Sequence, residues 1–424
     1  MPRRIAVCFA LSTALLTSPH IARARSNLRV AIVGSIAGAV PRARPVQALL
    51  GERVVLYAVV SRRERGRWRV YTDAPSSARL GWRRLHRARP LSALSGLSLR
   101  WVRVEPQPHH VNTAPPNKGN KAYSNAVLFG RRHGQWIGFD TLEYFESAIA
   151  GANGGRLSLT RTRPTHKRVN VNGGLGTMRY RVYATLDGET VATPGAKPTM
   201  KRGVSTRVFR VSFRAADDFV GYLTGYFNVP NVFGSAPGKG RAHQTERYQG
   251  ADCADVISGG ARRAGAPVPY VSVAALRNYA YAVTGKLLLD SSGLWELVHD
   301  KRTGKVSRGK RVTLAWGSTR GALRRGDIML IDYVGFNGSP RAWDHVAVLR
   351  RDNGTTRGTF DAKDRILHMG YLFGLTDTTA GSEGPAVVKF LRFRARYQRA
   401  FTRNARRVKR ARARRAKLVH AKSD

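Results

Sequence analysis

A cysteine attacks a carbonyl carbon as its thiolate, and at neutral pH it needs a base or a positive environment to become one. Cys253 lies in GADCADVISGGARRAGAPVPY, where Cys253, Val256, Ile257, Gly260, Ala261 and Ala264 recur at helical spacing between a turn at Gly250 and a Gly265-Ala-Pro stop. The pattern predicts a helix with Cys253 in its first turn. Unpaired backbone N–H groups and the positive end of the helix dipole there favour a thiolate, lowering the thiol pKa, and are placed to hold an oxyanion. The competing reading is a small buried apolar residue, the common fate of a free cysteine. About 90 residues further on, GALRRGDIMLIDYVGFNGSPRAWDHVAVLRR predicts a Gly-Asp turn, a strand from Ile328 to Tyr333, a loop, and a second strand opening at His345. A base at the start of a strand in a rigid sheet can be held within hydrogen-bond reach of a helix terminus. Taken alone, a histidine on a strand is more often a packing or surface residue; the conjunction with Cys253 is what points to chemistry.

The elements that must position this pair belong to a chain with the marks of export. Residues 1–24 combine Arg3 and Arg4, an apolar run from Ile5 to about Thr17, and Ala22-Arg23-Ala24, the form of a removable signal peptide. Cys8 falls inside it, so of the two cysteines only Cys253 is expected in the mature chain. No later apolar stretch reaches the roughly 20 residues of a membrane helix, so a secreted or periplasmic protein with no permanent span is expected. The 424 residues, 42% of them apolar, suffice for two or three cores. Residues 27–105 contain ERVVLYAVVS, RWRVYT and LSLRWVRVEP separated by Gly, Pro and Ser, which predicts a β-rich, sandwich-like module. Residues 106–215 open with a Pro- and Asn-rich linker and read as a second mixed, mostly β module. Within it, FDTLEYFESAIAGANGG (139–155) has helical spacing, and TMRYRVYATLDGETVATPG predicts a hairpin around Asp187-Gly188. The chemistry is confined to 216–390, and 391–424 is a basic C-terminal tail.

Three stretches of 216–390 together resemble the NlpC-type cell-wall peptidases, in a distant branch. The first is VPNVFGS (Val229 to Ser235) leading to Asp252-Cys253; the second is Gly326-Asp327-Ile328 with His345-Val346-Ala347-Val348; the third is RILHMG, containing His368. The resemblance covers about two-fifths of the chain. It implies an α+β fold: a papain-like cysteine peptidase domain, with a helix-borne Cys packed on an antiparallel sheet, here preceded by the β-rich modules. It also implies that Cys253 is the nucleophile, His345 the general base and acid, and His368 the residue orienting the His345 imidazole. Asp361, in TFDAKDR, is the alternative for that third role, and Asp252 would help bind a free amine of a stem peptide. Where the family has a Tyr in the upstream stretch this chain has Asn231, and where it has Ser-Gly after the Cys this chain has Ala254-Asp255. These departures leave the proposed catalytic residues intact and the substrate open.

The activity so implied is cleavage of amide bonds in peptidoglycan stem peptides or another amide substrate through an acyl-enzyme. The alternatives are an acyltransferase on the same fold and a catalytically inactive, basic envelope-binding protein. No cofactor is expected. No metal motif is found, since paired cysteines and a His-Glu-x-x-His run are lacking and His109, His110 and His166 are scattered. GSAPGKG is too short for a phosphate loop and has no Ser or Thr after its Lys. The 74 Lys and Arg against 26 Asp and Glu give a net charge of +48, a field that attracts polyanions. Export makes anionic envelope polymers the expected partners and disfavours nucleic acid. The tail reads first as a solvated or frayed helix and second as an anion-binding arm.

Overall fold

Alternation along the first strands already fixes a layer with two different faces. In β3 (Val54–Glu64), Leu56, Ala58 and Val60 enter one core while Val59 enters another. The computed structural model describes residues 26–106, 144–165, 172–196, 204–231, 243–300, 302, 305–333, 343–370 and 374–420, with side chains as far as 414. The expected signal peptide, most of the expected linker and the second half of VPNVFGS lie outside the described residues. Within them the protein is mixed α+β, mostly β-sheet with few helices.

The N-terminal half contains β1 (Leu28–Ile36), β2 (Val46–Leu49), β3, β4 (Arg67–Tyr71), β5 (Arg79–Leu80), β6 (Arg83–Arg84) and β7 (Ser98–Pro106). It continues with β8 (Tyr144–Ala148), β9 (Arg156–Leu159), β10 (Gly176–Leu186), β11 (Glu189–Ala192) and β12 (Phe209–Arg214). One sheet runs β1-β3-β4 with β9 paired to β3; the other runs β2-β12-β10-β7-β8 with β11 paired to β10. Trp101, Tyr180, Val182 and Phe213 of the second sheet share a core with Leu56 and Val60 of the first, as in a β-sandwich.

Two sequence expectations change here. Strands from both sides of the 105/106 boundary interleave, because β2 runs parallel to β12 and β9 pairs with β3, so residues 28–214 share one core instead of forming two modules. The helical spacing of 139–155 is overridden as well: Tyr144–Ala148 is strand β8, laid antiparallel on the open edge of β7. The hairpin is where it was expected, with Asp187 (φ 52°) and Gly188 (φ 76°) turning β10 into β11.

The C-terminal half begins with helices α1 (Phe219–Thr224) and α2 (Cys253–Arg263). Strands β13 (Ala280–Ala282), β14 (Leu287–Asp290), β15 (Gly293–His299), β16 (Val306–Val312), β17 (Ile328–Tyr333), β18 (His345–Arg351), β19 (Arg365–Gly370), β20 (Gly374–Thr379) and β21 (Ala386–Phe393) follow. They form one antiparallel sheet, β16-β15-β14-β21-β17-β18-β19-β20, with β13 on β21. Apolar side chains line both of its faces. Ile328, Leu330, Val346, Val348 and Leu367 meet α1 and α2 on one, and Met329, Ile331, Ala347 and Ile366 form a separate core on the other.

Gly326-Asp327 makes the expected turn, and Asp327 accepts from Arg392 Nε and Nη2, both at 2.7 Å, locking β17 to β21. The tail is a long helix, α3 (Ala395–His420), docked through Tyr397, Ala400 and Asn404 and tied by Arg412 to Asp217 and Glu52. Its outer side exposes Arg396, Arg399, Arg403, Arg406, Arg410 and Arg414. No helix among the described residues is long and apolar enough to cross a membrane.

Candidate active site

Helix α2 starts at Cys253 because Asp252 caps it. Asp252 has extended backbone (φ −96°, ψ −175°), and its Oδ1 accepts from the Asp255 N–H at 2.8 Å. The half-buried Asp252 carboxylate, expected to bind a substrate amine, is thus engaged in holding the helix terminus. Val256, Ile257 and Ala261 point α2 at the sheet. The Gly259-Gly260 pair lets it close on its neighbours: a Cβ on Gly259 would lie 2.5 Å from Tyr226 Oη, and one on Gly260 2.4 Å from Leu223 Cδ2.

The upstream stretch braces the same terminus. The Ala251 N–H donates to the Pro230 carbonyl at 3.2 Å, and Asn231 Nδ2 donates to the Gly370 carbonyl at the end of β19 at 3.1 Å. Asn231, at the position where the resemblance has a Tyr, therefore links the cysteine helix to the strand that carries His368.

The two histidines come together. His345 Nε2 lies 2.8 Å from His368 Nδ1, with the rings edge to face, and Tyr333 stacks along His345. His368 Nε2 in turn lies 3.4 Å from Glu383 Oε1, and the Tyr333 hydroxyl donates to Glu383 Oε2. His368 and Glu383 are buried. Asp361 is elsewhere: it closes the DAKD turn by accepting from the Thr355 and Lys363 N–H groups, each at 2.7 Å. His368, and not Asp361, is the residue beside His345.

Cys253 reaches the same strand from the other side. Alternation sends Val346 and Val348 toward α2 and leaves His345 on the side of Ala347, where Tyr333 stacks on it. The half-buried thiol packs against the α2 core and lies near the backbone N–H of Val346, the residue after His345. Among the described residues no hydrogen bond joins Cys253 Sγ to His345. The thiol and the imidazole therefore flank the first peptide of β18.

Electrostatics set a neutral resting state. Burial pushes the Cys253 thiol up, and the Asp252 and Asp255 carboxylates add to this, outweighing the N–H groups of Ala254 and Val346 that favour the thiolate. The sequence expectation of a lowered thiol is overturned: the helix terminus is present, but desolvation and two carboxylates beat it. Burial holds His345 well below the ordinary imidazole range, with His368 adding to the effect. His368 is lowered too, by burial, against the opposing pull of Glu383.

Among the described residues, His345, His368 and Glu383 also form the group whose ligand atoms, all within 4.8 Å of one another, could hold a metal ion. Glu383, however, meets His368 at Nε2, the nitrogen away from His345. Because one imidazole nitrogen faces each neighbour, the three side chains form a row suited to passing hydrogen bonds along it.

Sequence reasoning missed Glu383 and the role of Tyr333. Glu383 sits in the turn GSEGP, where nothing in its spacing distinguishes it. Tyr333 could have been placed by alternation with Ile331 and Met329 on the histidine side of β17.

No family model, curated protein or solved structure matches the chain.

Proposed function

We propose that the protein is an exported cysteine amidohydrolase with a papain-like, half-helix and half-sheet domain, acting on amide bonds of cell-wall stem peptides or a similar amide. The observation that supports this reading is a helix-terminal thiol beside the first peptide of β18, the strand that opens with a histidine whose Nε2 is already engaged by a second histidine. That engagement leaves His345 Nδ1 as the nitrogen able to take the thiol proton.

In this mechanism the sulfur of Cys253 attacks the substrate carbonyl carbon as its proton passes to His345. The tetrahedral oxyanion is held by N–H groups at the start of α2. The imidazolium then protonates the leaving amine as the C–N bond breaks, and water hydrolyses the thioester with His345 as base. Because the resting thiol and imidazoles are all neutral, the proton moves as the sulfur attacks, and no ion pair is stored beforehand. The step requires the His345 ring, which lies on the other side of β18 from the thiol, to come round the open end of the strand when substrate binds.

The test is incubation of the purified full chain and its Cys253→Ala variant with peptidoglycan and synthetic stem peptides, followed by mass spectrometry. New fragments from the parent chain alone establish thiol-dependent cleavage and name the bond. If amine acceptors divert the product, the enzyme is an acyltransferase on the same fold. The raised thiol and the lack of a Cys253–His345 hydrogen bond among the described residues favour a second reading, a basic envelope-binding protein without catalysis. No fragments together with an unreactive thiol would select it.

In both readings the arginine side of α3 is the proposed contact for an anionic envelope polymer. Joint substitution of Arg399, Arg403, Arg406 and Arg410 by Gln should lower retention on isolated walls and weaken its salt dependence.

A further inference from the structure

The buried carboxylate behind the histidine pair has no place in the mechanism so far. Glu383 lies on a short turn between β20 and β21, 8% exposed, with one oxygen 3.4 Å from His368 Nε2 and the other receiving the Tyr333 hydroxyl. At 3.4 Å, beyond the usual hydrogen-bond range, the carboxylate has no proton to give and favours by its charge the form of His368 that carries its proton on Nε2. Its Nδ1 is then a lone pair, and at 2.8 Å from His345 Nε2 it accepts the proton of that nitrogen. The consequence is a single arrangement of protons along the row, with His345 Nδ1 left bare.

We propose that Glu383 is a positioning residue: acting through His368, and itself held by Tyr333, it fixes His345 as the tautomer whose Nδ1 is free to act as a base. The tautomer assignment stands on the geometry alone, and only its catalytic consequence rests on the amidohydrolase reading. Without Glu383, His368 is equally able to carry its proton on Nδ1 and donate it to His345 Nε2. That reversal puts the proton of His345 on Nδ1, the nitrogen facing away from His368, and disables it as a base. Tyr333 contributes twice, since its ring stacks on His345 and its hydroxyl anchors the carboxylate.

The experiment is long-range proton–nitrogen NMR of the 15N-histidine-labelled full chain at pH 7.5, for the parent chain and for Glu383→Leu, Glu383→Gln and Tyr333→Phe. The parent chain should show His345 and His368 both protonated at Nε2. Glu383→Leu should give mixed or reversed tautomers at both. Glu383→Gln, whose amide oxygen can still accept from His368, should restore the parent pattern. Tyr333→Phe should fall between, and it keeps the test alive if Glu383→Leu does not fold.

On a cleaved substrate, Glu383→Leu should lower kcat by about 10- to 100-fold, the range for residues that orient a functional imidazole, with KM little changed. Glu383→Gln should keep most of the activity while its acidic limb moves to lower pH, because the charge that favours imidazolium is gone. Tautomers unchanged in Glu383→Leu and Tyr333→Phe overturn the proposal. Tautomers that shift as expected in a chain that cleaves nothing uphold the positioning role and sink the amidohydrolase reading instead.

Discussion

Carboxylates buried or half-buried serve opposite ends in the two halves of this protein. In the sandwich, Glu105 accepts from Ser147 Oγ at 2.6 Å and from the Thr165 N–H at 2.8 Å, with Arg103 Nε 3.7 Å away. Glu146 accepts from Arg181 Nη1 at 2.6 Å, Tyr183 Oη at 2.5 Å and the Ala196 N–H at 3.0 Å. Each is held by several donors and paired with an arginine that never loses its proton, a combination that fixes geometry. On the histidine side of the C-terminal sheet, Glu383 has an imidazole and a phenol as its partners and no arginine or lysine among the described residues. A carboxylate held by groups that can change protonation has little to offer as a clamp. It can dictate where protons sit.

The sharpest way to break this comparison is to remove a clamp from the same sheet as Glu383. Asp327 forms a buried two-point pair with Arg392, whose Nη2 also donates to the Ala322 carbonyl at 2.6 Å. Asp327→Ala strands that guanidinium in the interior, and we expect a loss of about 3–5 kcal/mol in urea unfolding. A loss below about 1 kcal/mol would mean that the pair is not dry, and the distinction between clamp and tuner would fail there. Next in size is Glu105→Gln, which keeps the shape but turns one acceptor oxygen into a donor facing donors; a loss of about 1–3 kcal/mol is expected, with both histidine tautomers unmoved. Smallest of the three is Glu383→Gln, whose two contacts survive in modified form. Its stability should stay within about 1 kcal/mol of the parent while its effect appears in protonation.

These carboxylates also mark where the sequence could be read and where it could not. The cysteine helix was legible because its signals are local: a turn at Gly250, Val256, Ile257 and Ala261 at one spacing, and a Gly265-Ala-Pro stop. The strands from Ile328 and His345 were legible for the same reason, and a Gly-Asp turn leads into the first. What pairs with what was not. Strand β2 sits beside β12, more than 160 residues away, and β9 beside β3, contacts chosen by which edges remain open once the sheets assemble. Tyr144–Ala148 is a strand for that reason, against its own spacing. The thiol misled in a related way, since its helix terminus is local while the burial and the carboxylates that overrule it are set by packing. Glu383 combines both difficulties, a residue in an unremarkable turn whose partners arrive from β17 and β19.

Protonation of the unmodified chain reports on the same buried row. Burial lowers both His345 and His368, so as pH falls the unfolded chain takes up two protons near the ordinary imidazole value of about 6.5 that the fold refuses until lower pH. Their contribution is therefore complete above about pH 6.5 and is lost as pH drops below it. Asp332, near the site at the end of β17, acts the other way. Burial and the nearby Asp344 raise its carboxyl to about 6, so the fold takes up that proton before the unfolded chain does and regains stability as pH falls from about 6 toward 4. Two protons refused against one welcomed leaves a net loss, so stability measured by urea unfolding should decline from pH 7.5 to pH 5. Asp332→Asn should steepen the decline, and His368→Gln should flatten it. A profile that stays level between pH 7.5 and pH 5, unchanged by either substitution, would mean that water reaches the histidine row. Glu383 would then be one more solvated carboxylate, and the contrast with Glu105 and Glu146 would vanish.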